Sequence, residues 1–455
     1  MKAFSPGPDA GGAYRWAVAT REHDPGAVHS SVNMPSGPRG GTQAGASDPP
    51  EAAGPAGVSS SLEWLEARRE QRRKAAARRR RRRLLLLIAI PLLGLLAWAV
   101  TAYAIWMLKP TSMSFTARSV EWVRAEVPFG NTIVDDIEHI YYTAKAPKKD
   151  GAAPKHLPAV GLGEARSNRA AAWPPRVKPL FAHPLPGEGI WKPAAPPVNG
   201  RPPVLLTSFR PEADYPQLLA YAAWFDHTRT AIAYYPGRYE PPNAAVRGPI
   251  MVPYGQRWRL LATFNGGFTY EDGENGSTVD GHVNEPLKDG KATLVGYRDG
   301  RVNIVKWNGG SNAGPDVAWT RQSLAPIVWD GRLNPALNED PNSPEWGFTL
   351  GGVTRVWRTG IGIDRRGDLI FVAAEGQTVI SIAKALRRAG AVRAMEFDIN
   401  PDWHTLITYT HSHGLVPRMV EPQPNQGADR YLVPDDRDFF AVYRRLPGPI
   451  TVPLR

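Results

Sequence analysis

Two carboxylates stand two residues apart in the segment Arg393-Ala394-Met395-Glu396-Phe397-Asp398-Ile399-Asn400. Read as a strand, its period of two puts Met395, Phe397 and Ile399 on one face and Ala394, Glu396, Asp398 and Asn400 on the other. Same-face residues on a strand have Cα atoms roughly 6.5–7 Å apart. Glu396 and Asp398 can therefore sit within the separation of about 5–9.5 Å used in glycoside hydrolysis. Two such anions repel, so an arginine, a metal ion or a raised pKa is expected beside one of them. The same oxygens, with those of Asn400 and Asp402, also fit a divalent cation such as calcium or magnesium. A cation at Glu396 and Asp398 thus stands as the alternative to a site without cofactor.

The elements that must position this pair are legible nearby. Thr378 can cap a helix that runs through Ile382, Ala383, Leu386 and Ala389, and Gly390 can end it. Strand patterns at 369–374 and 392–400 flank that helix, which makes the piece a βαβ unit. Apolar flanks mark the carboxylate strand as central in its sheet. Asp-Gly turns at Asp299-Gly300, Asp289-Gly290 and Asp330-Gly331 imply hairpins and a strand-rich surround. The fold class is therefore α+β, a mixed β-sheet core with packed helices.

Other residues are candidates for chemistry. Asn265-Gly266-Gly267-Phe268 follows the strand pattern 258–264, and paired glycines there let backbone amides approach a ligand closely. An ordinary Asn-Gly-Gly turn has the same composition. His404, His411 and His413 lie on one segment, but a third zinc ligand at suitable spacing is not evident, so polar loop histidines are the favoured reading. His282, beside Gly281, reads as a surface residue. The 15 tryptophans offer sugar-stacking faces, though most belong in a core or at a membrane interface.

Taken together, the Asn265–Phe268 turn, the stretch Ala325–Gly331, the run Arg358–Asp364 with its turn at Gly367, and the stretch from Gly390 to Asp398 resemble the phosphodiester glycosidase family in order and spacing. The resemblance covers roughly residues 250–445. It implies hydrolysis of a sugar-phosphate linkage, with Asp398 as base or nucleophile and Glu396 as its partner. It also implies Arg358 as a clamp on the phosphate and Asn265, Gly266 and Gly267 as an amide cradle. Arg358 reads equally as a structural ion-pair partner. The family follows its aspartate with glycines and a serine, where this chain has Ile399, Asn400, Pro401 and Asp402. A noncatalytic glycan-binding or envelope-organising domain on the same fold is therefore the second functional reading.

The net charge of +12 is concentrated in one place. Eleven Lys and Arg stand against three Glu between Glu63 and Arg83, and Leu84 to Leu108 then runs for 25 residues without a charge. At 1.5 Å per residue this is ample for a bilayer core of about 30 Å. The expected organisation is a disordered cytoplasmic arm at 1–60, a basic segment at 61–83, a transmembrane helix at 84–108 and juxtamembrane helices at 109–144. A Pro-rich stalk or loosely packed lead-in at 145–201 and an extracytoplasmic domain at 202–455 complete it. The arginine block sets the orientation by the positive-inside rule, with the N-terminus cytoplasmic in the plasma membrane. The partners implied are the lipid bilayer and a sugar-phosphate or glycan substrate. No nucleic-acid motif surrounds the arginines. With no cysteine, the chain has no disulfide-linked partner and no thiol chemistry.

Overall fold

The run Leu369-Ile370-Phe371-Val372-Ala373-Ala374 is apolar without alternation, as a strand covered on both faces must be. In the computed structural model, which describes residues 56–162, 173–273, 275–341, 343–349 and 352–446, it forms most of the strand Leu369–Gln377. That strand lies inside an eight-stranded sheet, between Ala220–Phe225 and Val356–Ile363. Next to Val356–Ile363 comes the carboxylate strand Arg393–Glu396, followed by the short hairpin Val328–Trp329 and Arg332–Leu333. Both neighbours pair antiparallel to Val356–Ile363. The strands Leu369–Gln377 and Arg393–Glu396 are therefore parallel to each other across it.

The helix that connects those two strands is Val379–Ala389. Four helices precede it: α1 (Ala56–Met107), α2 (Phe115–Glu126), α3 (Gly130–Lys145) and the single turn α4 (Tyr270–Gly273); the connecting helix is α5. Thr378 and Ser381 form a reciprocal capping box at its start, and Gly390 ends it with φ of 116°. Ile382, Ala383 and Leu386 of α5 pack with Ile370, Val372 and Ala394 on one face of the sheet. The βαβ unit expected from the sequence is present, with one antiparallel strand inserted between its halves.

The other face of the sheet meets two five-stranded sheets. One has the order Val416–Met419, Leu406–Thr410, Leu260–Asn265, Phe439–Arg444, Thr230–Tyr235. The other contains the expected hairpin Ala292–Tyr297 and Val302–Lys306, closed at Gly300 with φ of 85°. Phe371, Met395 and Phe397 of the large sheet share one core with Phe264 and Phe440 of the first small sheet and with Leu294 and Trp319 of the second. Phe264 lies 4.9 Å from Phe371 and 5.3 Å from Phe440, ring centre to ring centre. This core fixes which side of the carboxylate strand is apolar and leaves the opposite side to Glu396.

Helix α1 is continuous across Pro91 and joins the arginine block to the apolar run. One stretch of it is long and apolar enough to cross a membrane. The expected arm at 1–60 falls, up to residue 55, outside the described residues. Helices α2 and α3 occupy the segment in which two helical patterns were expected, and Arg124 ties them by pairing with Asp135 at 2.9 Å and Glu138 at 2.8 Å. The Pro-rich segment departs from an extended stalk. Val177 and Trp191 are buried, Lys192–Pro193 pairs with the strand Val204–Phe209, and buried Glu188 holds Arg210 at 2.8 Å. Apolar side chains placed between the prolines find the sheet edge, so composition alone did not decide their state. Residues 163–172 of the segment lie outside the described residues.

Candidate active site

Glu396 ends its strand opposite Gly360. Backbone pairing persists one step further, because Phe397 N–H donates to the Thr359 carbonyl at 2.9 Å and Thr359 N–H donates to the Asp398 carbonyl at 2.8 Å. The segment thus departs from the strand expected over 392–400, ending at Glu396 and leaving Asp398 at the point where the chain turns away. Arg358 lies beside the pair on the adjacent strand. Its Nη1 donates to Glu396 Oε1 at 2.5 Å and its Nε to the Gln377 carbonyl at 2.8 Å, with both side chains buried. Burial pushes the Glu396 carboxyl up, against the pull of Arg358. Glu396 Oε2 has no hydrogen-bond partner among the described residues. The cation expected next to the carboxylates is therefore Arg358, held as an internal ion-pair partner. In this arrangement its guanidinium is committed to Glu396 and Gln377 and does not form a free phosphate clamp.

Asp398 has a different environment. Its N–H donates to Thr359 Oγ1 at 3.0 Å, its Oδ1 accepts from Asn400 N–H at 2.9 Å, and its Oδ2 stands 3.5 Å from Arg437 Nη2. Burial raises its pKa, and Arg437 is the largest influence in the other direction. Arg437 keeps 16% of its side chain exposed, against 4% for Arg358. It also donates to the Gly267 carbonyl at 3.4 Å and lies 5.2 Å from the Trp403 ring. Sequence reasoning missed it. The signal available was the run Asp435-Asp436-Arg437-Asp438, polar residues crowded just before an apolar strand.

The first motif reaches the same place through Thr359. Asn265 Nδ2 donates to Thr359 Oγ1 at 3.0 Å, and its Oδ1 accepts from Thr405 N–H at 3.1 Å. The Thr359 hydroxyl therefore accepts from both Asn265 and the Asp398 backbone, so three separated motifs converge on one buried threonine. The two glycines serve another purpose. Gly266 N–H donates to the Asp438 carbonyl at 3.0 Å, and a Cβ on Gly266 would lie 2.5 Å from the Asp438 carboxylate. A Cβ on Gly267 would lie 3.4 Å from the Arg321 guanidinium. Arg321 and Asp438 form a buried pair at 2.6 Å, against which the turn must pack closely. The Gly266 amide is thus spent inside the protein, which departs from the cradle expected of it.

A cavity of about 370 Å³ opens at this point, lined in part by Arg437, Asn400, Trp403 and Glu240. A second, of about 300 Å³, is lined in part by Trp357, His404, Tyr141 and Tyr142. His404 lies in a loop, as expected, but is buried, with its ring stacked on Trp357 at 4.0 Å. His411 Nε2 is held by the Leu260 carbonyl at 2.7 Å, His413 is exposed, and His282 is exposed on a strand of the second small sheet. The cation alternative is not favoured by the local bonding. Asp398 Oδ1 and Asn400 Oδ1 accept from Asn400 N–H and Asp402 N–H, and Asp402 Oδ1 accepts from Asn425 at 2.6 Å. Among the described residues the cluster able to hold a metal ion is Asp226, His227 and Asp368.

The fold and site define an α+β protein with a buried carboxylate, Asp398, beside a half-buried arginine, Arg437, at a pocket. Residues 259–398 match the model of the phosphodiester glycosidase family, so the chain carries a phosphodiester glycosidase domain, whose matched stretch ends at Asp398. No curated protein matches. Among solved structures, a hypothetical protein from Synechocystis is 14% identical with a TM-score of 0.31, covering 55% of this chain and 64% of its own. The present chain therefore spans 64% of that relative's length. The catalytic domain of zebrafish N-acetylglucosamine-1-phosphodiester alpha-N-acetylglucosaminidase, auto-inhibited by its pro-peptide, is 14% identical with a TM-score of 0.33, covering 55% of this chain and 87% of its own. A putative exported protein from Burkholderia pseudomallei is 10% identical with a TM-score of 0.29, covering 50% and 74%.

Proposed function

We propose that this protein is a membrane-anchored glycosidase that hydrolyses the bond between a sugar and a phosphodiester in envelope glycans or glycolipids, its domain facing away from the cytoplasm. The observation that carries this reading is Asp398, a buried carboxylate that accepts from Asn400 N–H while Thr359 holds its backbone, with Arg437 at 3.5 Å on the wall of a cavity. In the reaction a water oxygen becomes bonded to the sugar C1 and the bond from C1 to the phosphate oxygen breaks. Asp398 acts as base toward that water, or as the nucleophile it later displaces. The departing phosphate is a stable anion and needs little protonation. Arg437 supplies the cationic donor for it, the part that the family resemblance implies for Arg358. Glu396 acts at one remove, paired with Arg358 on the strand that leads to Asp398.

The test is release of sugar from an N-acetylglucosamine phosphodiester by the full chain in detergent, compared with Asp398→Asn. Release by the parent and a loss of at least about a hundredfold in the variant are expected, the scale of a catalytic acid or base. Equal rates would remove Asp398 from the chemistry. The second reading, a noncatalytic glycan-binding domain, draws on the aromatic cavity around Trp357, Tyr141 and Tyr142. Saturable glycan binding lost in Trp357→Ala, with no sugar released by the parent, would favour it.

A further inference from the structure

The cavity beside Asp398 is built from two parts of the chain that are far apart in sequence. Arg437 and Asn400, both in contact with Asp398, line it together with Trp106 and Lys109 from the end of the apolar helix. The junction is held firmly. Arg118 of α2 donates to the carbonyls of Met107, Lys109 and Thr111, the residues by which the chain leaves α1. Ser114 N–H then donates to the Asn425 carbonyl and Gly427 N–H to the Ser112 carbonyl, each at 2.9 Å. The head of the membrane helix is thereby fastened to the loop that follows the site.

A tryptophan and a lysine at the end of a membrane span sit at the level of lipid headgroups. Lys109 Nζ lies 3.7 Å from the Trp106 ring centre, an arrangement that keeps the charge at that boundary. Of the five cationic side chains on the cavity walls, Arg118 is held by the carbonyls at the end of α1, Arg124 by Asp135 and Glu138, and Arg238 by Asp436, which leaves Lys109 and Arg437 as the cations for a phosphate. Helix α3, which follows shortly, leaves Ile133, Ile137 and Ile140 exposed along one stripe, as a helix resting on a lipid surface does.

We propose that this cavity takes the phosphate headgroup of a membrane lipid, so that the substrate of the Asp398 site is a glycosyl phosphodiester carried on a lipid anchor. The inference rests on the glycosidase reading and adds the source of the substrate. Hydrolysis then leaves the free sugar in water and a phosphomonoester lipid in the bilayer, with the water proton passing through Asp398 to solvent or to that product.

The experiment places the full chain in phosphatidylcholine vesicles with two esters of N-acetylglucosamine 1-phosphate, one on a long-chain polyprenol in the bilayer and one on methanol in solution. Sugar release is expected to show kcat/KM at least about tenfold higher for the lipid ester. Lys109→Ala narrows that preference severalfold, and Lys109→Arg restores it, with an unchanged melting midpoint as the check on folding. Equal kcat/KM for the two esters, or a preference untouched in a folded Lys109→Ala, overturns the lipid inference while leaving the glycosidase reading in place. Cleavage of neither ester by the folded parent removes the glycosidase reading, and the inference falls with it.

Discussion

Replacing Arg358 separates a structural cation from a substrate clamp. In the folded protein its Nη1 faces Glu396 Oε1 at 2.5 Å and its Nε serves the Gln377 carbonyl, while Glu396 Oε2 is already unpartnered. Arg358→Met leaves a fully buried carboxylate with no cation. Removing one partner of a buried pair typically costs about 3–5 kcal/mol. At roughly 2–4 °C per kcal/mol for a domain of some 150–250 residues, a fall in melting midpoint on the order of 10 °C follows. The cost also depends on pH. Burial raises the folded-state pKa of Glu396, and loss of Arg358 raises it further, so the folded variant binds a proton more tightly than the unfolded chain does. Its stability is greatest below the unfolded carboxyl value of about 4.3 and falls as pH rises through the raised folded value. The double variant Arg358→Met with Glu396→Leu removes both charges and recovers most of the loss. Thermal melts of parent, single and double variants from pH 4 to pH 8 measure all three quantities. An Arg358→Met protein that melts within about 1 °C of the parent, yet no longer binds the phosphodiester, would refute this reasoning and restore the clamp.

Arg437→Ala raises the Asp398 pKa, because that guanidinium is the largest influence holding it down against burial. The acid limb of the kcat/KM profile for sugar release therefore moves to higher pH, and an unmoved limb would detach Arg437 from the site. Gly360→Ala puts a Cβ 2.7 Å from Leu386 Cδ1 and 3.1 Å from the Met395 carbonyl, directly between α5 and the carboxylate strand. Overpacking there costs about 1–3 kcal/mol, which a lowered melting midpoint reports; an unchanged midpoint would mean that the helix shifts freely.

Much of this protein is written locally. The 25 uncharged residues after the arginine block required no partner to be recognised, because their length and hydropathy are measured against a bilayer rather than against the rest of the chain. The Thr378 cap, the Gly390 stop and the hairpin at Gly300 were legible because turn and cap geometry is decided within a few residues. The alternation through Met395, Glu396 and Phe397 likewise placed Glu396 opposite the aromatic core. What the sequence could not supply was partnership at long range. Arg437 stands 39 residues beyond Asp398 in the chain, on a different sheet's approach, and only the packing of the two sheets brings its guanidinium to 3.5 Å. Thr359 looked like an ordinary strand residue until Asn265 and Asp398 both met its hydroxyl. Arg358 and the glycines carried the right types for ligand binding, but whether a cation or an amide is free depends on which buried groups compete for it. Local spacing determined the elements and the presence of a carboxylate pair; the tertiary structure decided which charges neutralise each other inside and which one is left facing the pocket.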